Sequence, residues 1–178
     1  RQAMSEQTPV AFEAFHAPGQ RWFEFRIYPS PDGLTMYFHD ITERVLRNIQ
    51  AVEQAKRDDL TGLPNRLAIR EAIDARLAQA HAPDTYVGLV ALNIDRLHQV
   101  NDTLGYAAGD VILMEVARRL RAFAAARGCE VARIGGDEFL LATGWLDTFS
   151  VLEVLTRDAT AVVARPYDIA GQSIYLTC

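Results

Sequence analysis

Apolar and polar positions alternate with a period of two near the start of the chain, where Phe23, Phe25 and Ile27 are separated by Glu24 and Arg26. That period predicts a strand with one buried and one wetted face. Segments 10–14, 22–28 and 34–39 carry β-formers, and Pro18-Gly19 and Pro29-Ser30-Pro31-Asp32-Gly33 break them with turn chemistry, so three antiparallel strands are expected. From Thr42 the period changes. Val45, Ile49 and Val52 recur at spacings of four and three among Glu43, Arg44, Arg47, Glu53, Lys56 and Arg57, a narrow apolar seam on a helix. Such a seam serves either a helix lying on its own domain or a two-stranded coiled coil; the polarity elsewhere favours the coil.

Further on, Asn65 can cap a helix over 67–80 with Ile69, Ile73 and Leu77 inward. The near-continuous apolar run 86–94 predicts a central strand covered on both faces. Asp110 is expected to start a second helix, with Leu113, Val116, Ala117, Leu120 and Phe123 as its inner stripe and Gly128 as its stop. Two short strands, 130–134 and 139–143, flank a glycine turn. After them Ser150-Val151-Leu152-Glu153 reads as a capping box, with Leu152, Leu155, Ala159 and Val162 inward until Pro166. A last strand pair turns at Gly171-Gln172.

With 178 residues, 49% hydrophobic and 23% charged, the chain can bury a globular core and leaves little room for disorder. The net charge of −5 gives no basic footprint for nucleic acid or an anionic membrane surface. Cys129 and Cys178 make no disulfide framework, which fits a reducing cytosol, and His16, His39, His81 and His98 lack the paired spacing of a zinc site. The run 86–92 is far too short to cross a bilayer, which takes about 20 residues. A cytoplasmic location is expected for this part; a parent protein anchored in a membrane remains open.

The chemistry concentrates in four motifs. Arg133-Ile134-Gly135-Gly136-Asp137-Glu138-Phe139 sets two adjacent carboxylates on a turn where backbone can approach a ligand. Upstream stand Asp58-Asp59-Leu60-Thr61-Gly62-Leu63-Pro64-Asn65-Arg66, the segment from Asn93-Ile94-Asp95 through Leu97-His98 and Asn101-Asp102 to Gly105-Tyr106, and Gly109-Asp110. In this order and spacing, residues 58–178 closely resemble the GGDEF family, the diguanylate cyclases that join two GTP molecules into cyclic di-GMP. Residues 9–45, ending in Tyr37-Phe38-His39-Asp40-Ile41-Thr42-Glu43-Arg44, separately resemble the C-terminal end of a PAS sensor domain.

The resemblance implies an α+β, nucleotidyl-cyclase-like (ferredoxin-like) fold: a central antiparallel or mixed sheet flanked by helices, preceded by a three-stranded PAS remnant and a linker helix. The expected organisation is a PAS fragment at 1–41, a helical linker at 42–57 and a GGDEF domain at 58–178 that stops short of the family's last strand. The PAS ligand is unreadable, because most of its cavity would precede residue 1. By the same resemblance, Mg2+ (or Mn2+) is held by Asp137, position 93 and the Ile94 carbonyl, with Glu138 as a metal or general-base residue. Asn101 and Asp110 fall on the guanine-binding positions, Gly135 and Gly136 let backbone lie against phosphate, and Leu97 and His98 complete the nucleotide site. The structural alternatives are that Asn101 stabilises a turn, Asp110 caps a helix and Asp137 favours the hairpin. Asp58 and Thr61 read as a structural pair.

Several positions depart from the family pattern. Asn93 stands where the family has a carboxylate, and an amide oxygen brings no charge to offset a triphosphate. Asp95 would partly compensate if the strand continued past Asn93. His98 replaces a Lys, giving up a fixed positive charge, and Leu97 replaces a Phe. The family's inhibitory product site would need Arg and Asp at Ala126 and Cys129 and is absent, though Arg127 and Glu130 lie one position away. The expected activity is therefore a PAS-controlled diguanylate cyclase working as a homodimer on GTP. The alternative is a weakened GGDEF domain that binds GTP and regulates an attached domain, such as a fused cyclic di-GMP phosphodiesterase. A pure dimerisation module is the third reading.

Overall fold

A computed structural model describes residues 8–31, 33–79, 82–169 and 171–178. The expected turn residue Asp32, the helix end at Ala80 and His81 lie outside them. The chain divides into two units, Arg1–Gln54 and Ala55–Cys178.

In the first unit, β1 (Val10–His16), β2 (Arg21–Ser30) and β3 (Gly33–Asp40) form an antiparallel sheet in that order. The register stacks Phe12, Phe25 and Phe38 across it, and the Phe12 and Phe25 rings stack at 5.1 Å. The expected burial is only partly realised: Phe23, Phe25 and Ile27 are half-buried, as is Glu24, and Phe38 and Met36 are exposed. α1 (Thr42–Ala55) follows, entered through Thr42, whose N–H and hydroxyl both bond the Asp40 carboxylate. None of its residues is buried; of the expected seam, Val45 is half-buried and Ile49 and Val52 are exposed.

The second unit runs α2 (Arg66–Leu77), β4 (Tyr86–Asn93), α3 (Leu97–Leu104), α4 (Tyr106–Arg127), β5 (Glu130–Gly135), β6 (Glu138–Leu146), α5 (Phe149–Val163), β7 (Tyr167–Ile169) and β8 (Gln172–Ile174). β6 lies between β4 and β5, antiparallel to both. β4 and β5 are thus parallel with a strand between them, the split βαβ arrangement of ferredoxin-like α+β folds. Val90, Leu92, Val131, Phe139 and Leu141 bury one face of this sheet against Ile112, Val116 and Leu120 of α4 and Leu155 and Ala159 of α5. α2 covers the other face, where Ile69 packs on Ala132 and Ala142.

Four expectations are corrected. β4 is not covered on both sides: it alternates, with Val90 and Leu92 buried and Leu89 and Ala91 exposed, and among the described residues it pairs only with β6. α4 begins at Tyr106 rather than Asp110, and α3 was not foreseen, because Gly105 (φ 85) breaks a stretch whose apolar spacing is short. The capping box fails because Ser150 is already inside α5; Thr148 is its N-cap, and its hydroxyl bonds Ser150 at 3.0 Å rather than a backbone N–H. Leu77 is 52% exposed. Arg76 turns inward in its place, donating to the Thr143 carbonyl and, at 2.6 Å, to Glu130. The Asn65 cap forms as expected, its Oδ1 accepting from the Leu67 and Ala68 N–H groups at 3.0 and 3.1 Å. No helix among the described residues is long and apolar enough to cross a membrane.

Candidate active site

The acidic turn is a two-residue connection, Gly136-Asp137, between β5 and β6. Gly135 (φ 149) and Gly136 (φ 51) both adopt backbone that side chains resist, which is why the tip needs glycine. The tip is open to solvent: Gly135, Gly136 and Glu138 are exposed and Asp137 is half-buried. The register sets Asn93, the exposed last residue of β4, directly across from Glu138. The next residue, Ile94, is fully buried and its N–H donates to the Asp137 carbonyl at 3.0 Å. Asn93, Ile94, Asp137 and Glu138, far apart in sequence, therefore meet at one end of the sheet.

β4 stops at Asn93, so the condition for Asp95 to face the same way fails. Asp95 sits in the turn before α3, where its N–H donates to the Thr177 carbonyl at 2.8 Å and its carboxylate accepts from the Thr177 hydroxyl at 2.7 Å. Arg96 follows in the left-handed region (φ 61) as the N-cap of α3, which no side chain caps. In the first turn of α3, Leu97 is buried and His98 exposed.

Asn101 and Asp110, the pair expected on the guanine side, come together through one close packing. Gly109 is buried in α4, and a Cβ placed there would overlap Asn101 Oδ1 of α3. This lets Asn101 lie beside the turn of helix that carries the exposed Asp110. Asn101 Oδ1 is buried and has no hydrogen-bond partner, and it is the one such side-chain atom among the described residues. Asp110 lies within α4 rather than at its start, so helix capping does not explain it. Asn101 lies within α3, where its carbonyl accepts from the Gly105 N–H at 2.9 Å, while its side-chain Oδ1 bonds no turn N–H.

Two arginines around the turn were given no role from sequence. Arg66, the first residue of α2, donates from Nε to the Ile134 carbonyl at 3.2 Å and holds Nη2 3.9 Å from Glu138. Arg133 grips the Gly136 carbonyl through Nε and Nη2 at 3.0 and 2.6 Å, and pairs with Asp58 through Nη1 at 3.0 Å. Both stand inside the motifs quoted above, but nothing in their spacing shows which way the side chains reach. Burial alone would raise the Asp58 carboxyl; hydrogen bonds from Thr61 and the Arg133 guanidinium outweigh it and hold it below the usual range.

Among the described residues no three His, Cys, Asp or Glu side chains cluster as a ready metal cage. The donors around the turn are nonetheless all oxygens: two carboxylates, the Asn93 amide and the Ile94 main chain. That set suits a hard cation such as magnesium in kind, with one charge fewer than an aspartate at position 93 would give.

Residues 55–178 match the family model described as diguanylate cyclase, GGDEF domain. The chain belongs to the GGDEF family. Diguanylate cyclase DgcP of Pseudomonas aeruginosa is 32% identical over 126 residues, covering 71% of this chain and 19% of that protein. Cyclic di-GMP phosphodiesterase PdeR of Escherichia coli is 32% identical over 167 residues, covering 90% of this chain and 25% of that protein. Among solved structures, the coiled coil and GGDEF domain of DgcB from Caulobacter crescentus, in complex with c-di-GMP, superposes with a TM-score of 0.64 at 28% identity, covering 76% of this chain and 72% of that one. This GGDEF chain spans a quarter or less of the length of the two curated relatives, whose functions lie on both sides of cyclic di-GMP metabolism.

Proposed function

We propose that this GGDEF domain binds one metal-bound GTP at the end of β4 and, as a homodimer, condenses two GTP into cyclic di-GMP, each 3′-hydroxyl attacking the other nucleotide's α-phosphorus with release of pyrophosphate. The first unit is read as the C-terminal part of a PAS sensor and α1 as the linker that pairs two copies. The observation that carries the reading is the buried, unpartnered Asn101 Oδ1 beside Asp110. An unsatisfied buried acceptor costs about 1–3 kcal/mol. The guanine edge offers N–H donors to it and an additional N–H to the Asp110 carboxylate.

Asp137, Glu138, Asn93 and the Ile94 carbonyl are the residues that would hold magnesium. When bound, it neutralises the triphosphate and stabilises the charge of the phosphoryl-transfer transition state. The protein's own contribution is mainly positional. Gly135 and Gly136 leave the backbone bare for phosphate oxygens, Leu97 packs the base of α3, and Glu138, exposed at the tip, can take the proton of the attacking 3′-hydroxyl.

A second reading, a weakened domain that binds GTP and regulates an attached phosphodiesterase, is favoured by Asn93 and His98. It is also favoured by the kinship with PdeR and with MucR of Pseudomonas aeruginosa, named as a bifunctional diguanylate cyclase and phosphodiesterase. Incubating the protein with GTP and magnesium and quantifying cyclic di-GMP separates the two. The cyclase reading expects product from the wild type and no change in Asn93→Asp. A wild type that binds GTP yet forms little or no product, with production raised in Asn93→Asp, would support the regulatory one.

A further inference from the structure

We infer that the groove between α3 and the β8 segment binds a small carboxylate with an apolar body, held through Arg96. None of the residues lining this groove belongs to the set proposed for the nucleotide. It holds about 300 Å³, at the lower end of the range in which small ligands bind, roughly 300–1,000 Å³. Val100 and Leu176 in its lining are buried, Ile174 is half-buried, and Leu104 and Tyr175 are exposed, so apolar surface runs from the interior to the rim. Polar groups flank it from both walls. Gln99 stands on α3 and Gln172 on β8, and neither side-chain amide has a hydrogen-bond partner among the described residues.

Arg96 is the one charged residue that lines the groove, and its guanidinium has no ion pair or hydrogen bond among the described residues. Arg76, Arg119, Arg127 and Arg133 of the same unit are all paired with acids. The backbone of Arg96 also lies in the left-handed region (φ 61, ψ 17), where residues other than glycine, asparagine and aspartate are strained. Its side chain caps no N–H of α3. Glycine would therefore serve this turn better, and a bound anion is what gives an arginine a use there. The adjacent Asp95 carboxylate is not part of the lining: it accepts from the Thr177 hydroxyl at 2.7 Å. That bond, with Asp95 N–H donating to the Thr177 carbonyl at 2.8 Å, ties the C-terminal wall of the groove to the start of α3. A guanidinium fork matches the two oxygens of a carboxylate. One cation among apolar neighbours suits a singly charged ligand better than a phosphate ester, which carries about two charges at neutral pH.

The test titrates the whole chain with 3-phenylpropanoate and follows backbone amide shifts by NMR. The controls are 3-phenylpropanamide, which keeps the shape and loses the charge, acetate, which loses the apolar body, and inorganic phosphate. We expect saturable shifts centred on 96–104 and 172–176, with a dissociation constant of about 1 mM or tighter. The amide should bind at least about tenfold more weakly, and neither acetate nor phosphate should saturate over the same range. Arg96→Gln should lose about tenfold in affinity for 3-phenylpropanoate. Arg96→Gly should abolish binding and raise the melting temperature, because glycine relieves the left-handed backbone. Absence of saturable binding to the wild type would overturn the inference, as would equal binding of the amide or of phosphate, or affinity retained in Arg96→Gln. A lower melting temperature in Arg96→Gly would likewise overturn it, by giving the side chain to the fold.

Discussion

Asn101 illustrates how one side chain can be asked whether it serves fold or ligand. Its amide oxygen is buried without a partner, so truncation removes an unsatisfied acceptor and should cost little stability. We predict that Asn101→Ala or Asp110→Ala lowers GTP affinity about tenfold or more while moving the melting temperature by only a few degrees, about what 1 kcal/mol would do. Parallel losses of both would assign these residues to packing. Tyr167 behaves in the opposite sense. Burial pushes its hydroxyl up to about 12 despite the Arg119 guanidinium 4.2 Å from the ring, and the hydroxyl donates to the Val163 carbonyl at 2.6 Å. The folded state holds this proton more tightly than the unfolded state does. The associated stability is complete below about pH 10, the ordinary tyrosine value, and is lost as pH rises toward about 12. Tyr167→Phe should therefore flatten the alkaline limb of a denaturation-versus-pH curve.

At the scale of elements, the sheet end works because α3 and α4 approach closely at Gly109. A Cβ there would strike Asn101, so Gly109→Ala should displace α3, lowering stability by about 1–3 kcal/mol as overpacking does and weakening GTP binding at the same time. Thermal melts and calorimetry on one preparation check both. A second element-level link is Glu115, which hydrogen bonds from Arg118 and Arg119 hold at about 2 against the opposing effect of burial. Its contribution is present above the ordinary carboxylate range near 4.5 and disappears as pH falls toward about 2; Glu115→Gln should remove that part of the acid limb. Much of this was readable from the chain. The α4 stripe Leu113, Val116, Ala117, Leu120 and Phe123 is buried as its period requires, and the glycine turn lies where the flanking apolar runs put it. What periodicity missed, it missed for physical reasons. α3 has eight residues, too few for a clear helical period, and β4 mixes an alternating burial pattern with apolar residues on its exposed face. The bonds from Arg133 to the Gly136 carbonyl depend on where a long side chain folds back, which spacing does not encode.

For the whole molecule, the proposed reaction takes two copies, because each domain would offer one acidic turn and one nucleotide site. Ile49 and Val52, the exposed part of the α1 seam, are the surface proposed for that pairing. Ile49→Glu should shift the protein from dimer to monomer in light scattering. It should leave the thermal transition of 55–178 in place, since Ile49 is 51% exposed in the single chain. Cyclic di-GMP formed per protein molecule should rise with protein concentration in the wild type and stay near zero in that variant.

The most direct measurement is calorimetric titration of the whole chain with GTP, in magnesium and again in EDTA, alongside Asp137→Ala. We predict binding in magnesium that weakens at least about tenfold both in EDTA and in the Asp137 variant. GTP binding of equal strength in all three, or none in magnesium, would contradict the claim that the acidic turn and the end of β4 together hold a metal-bound nucleotide.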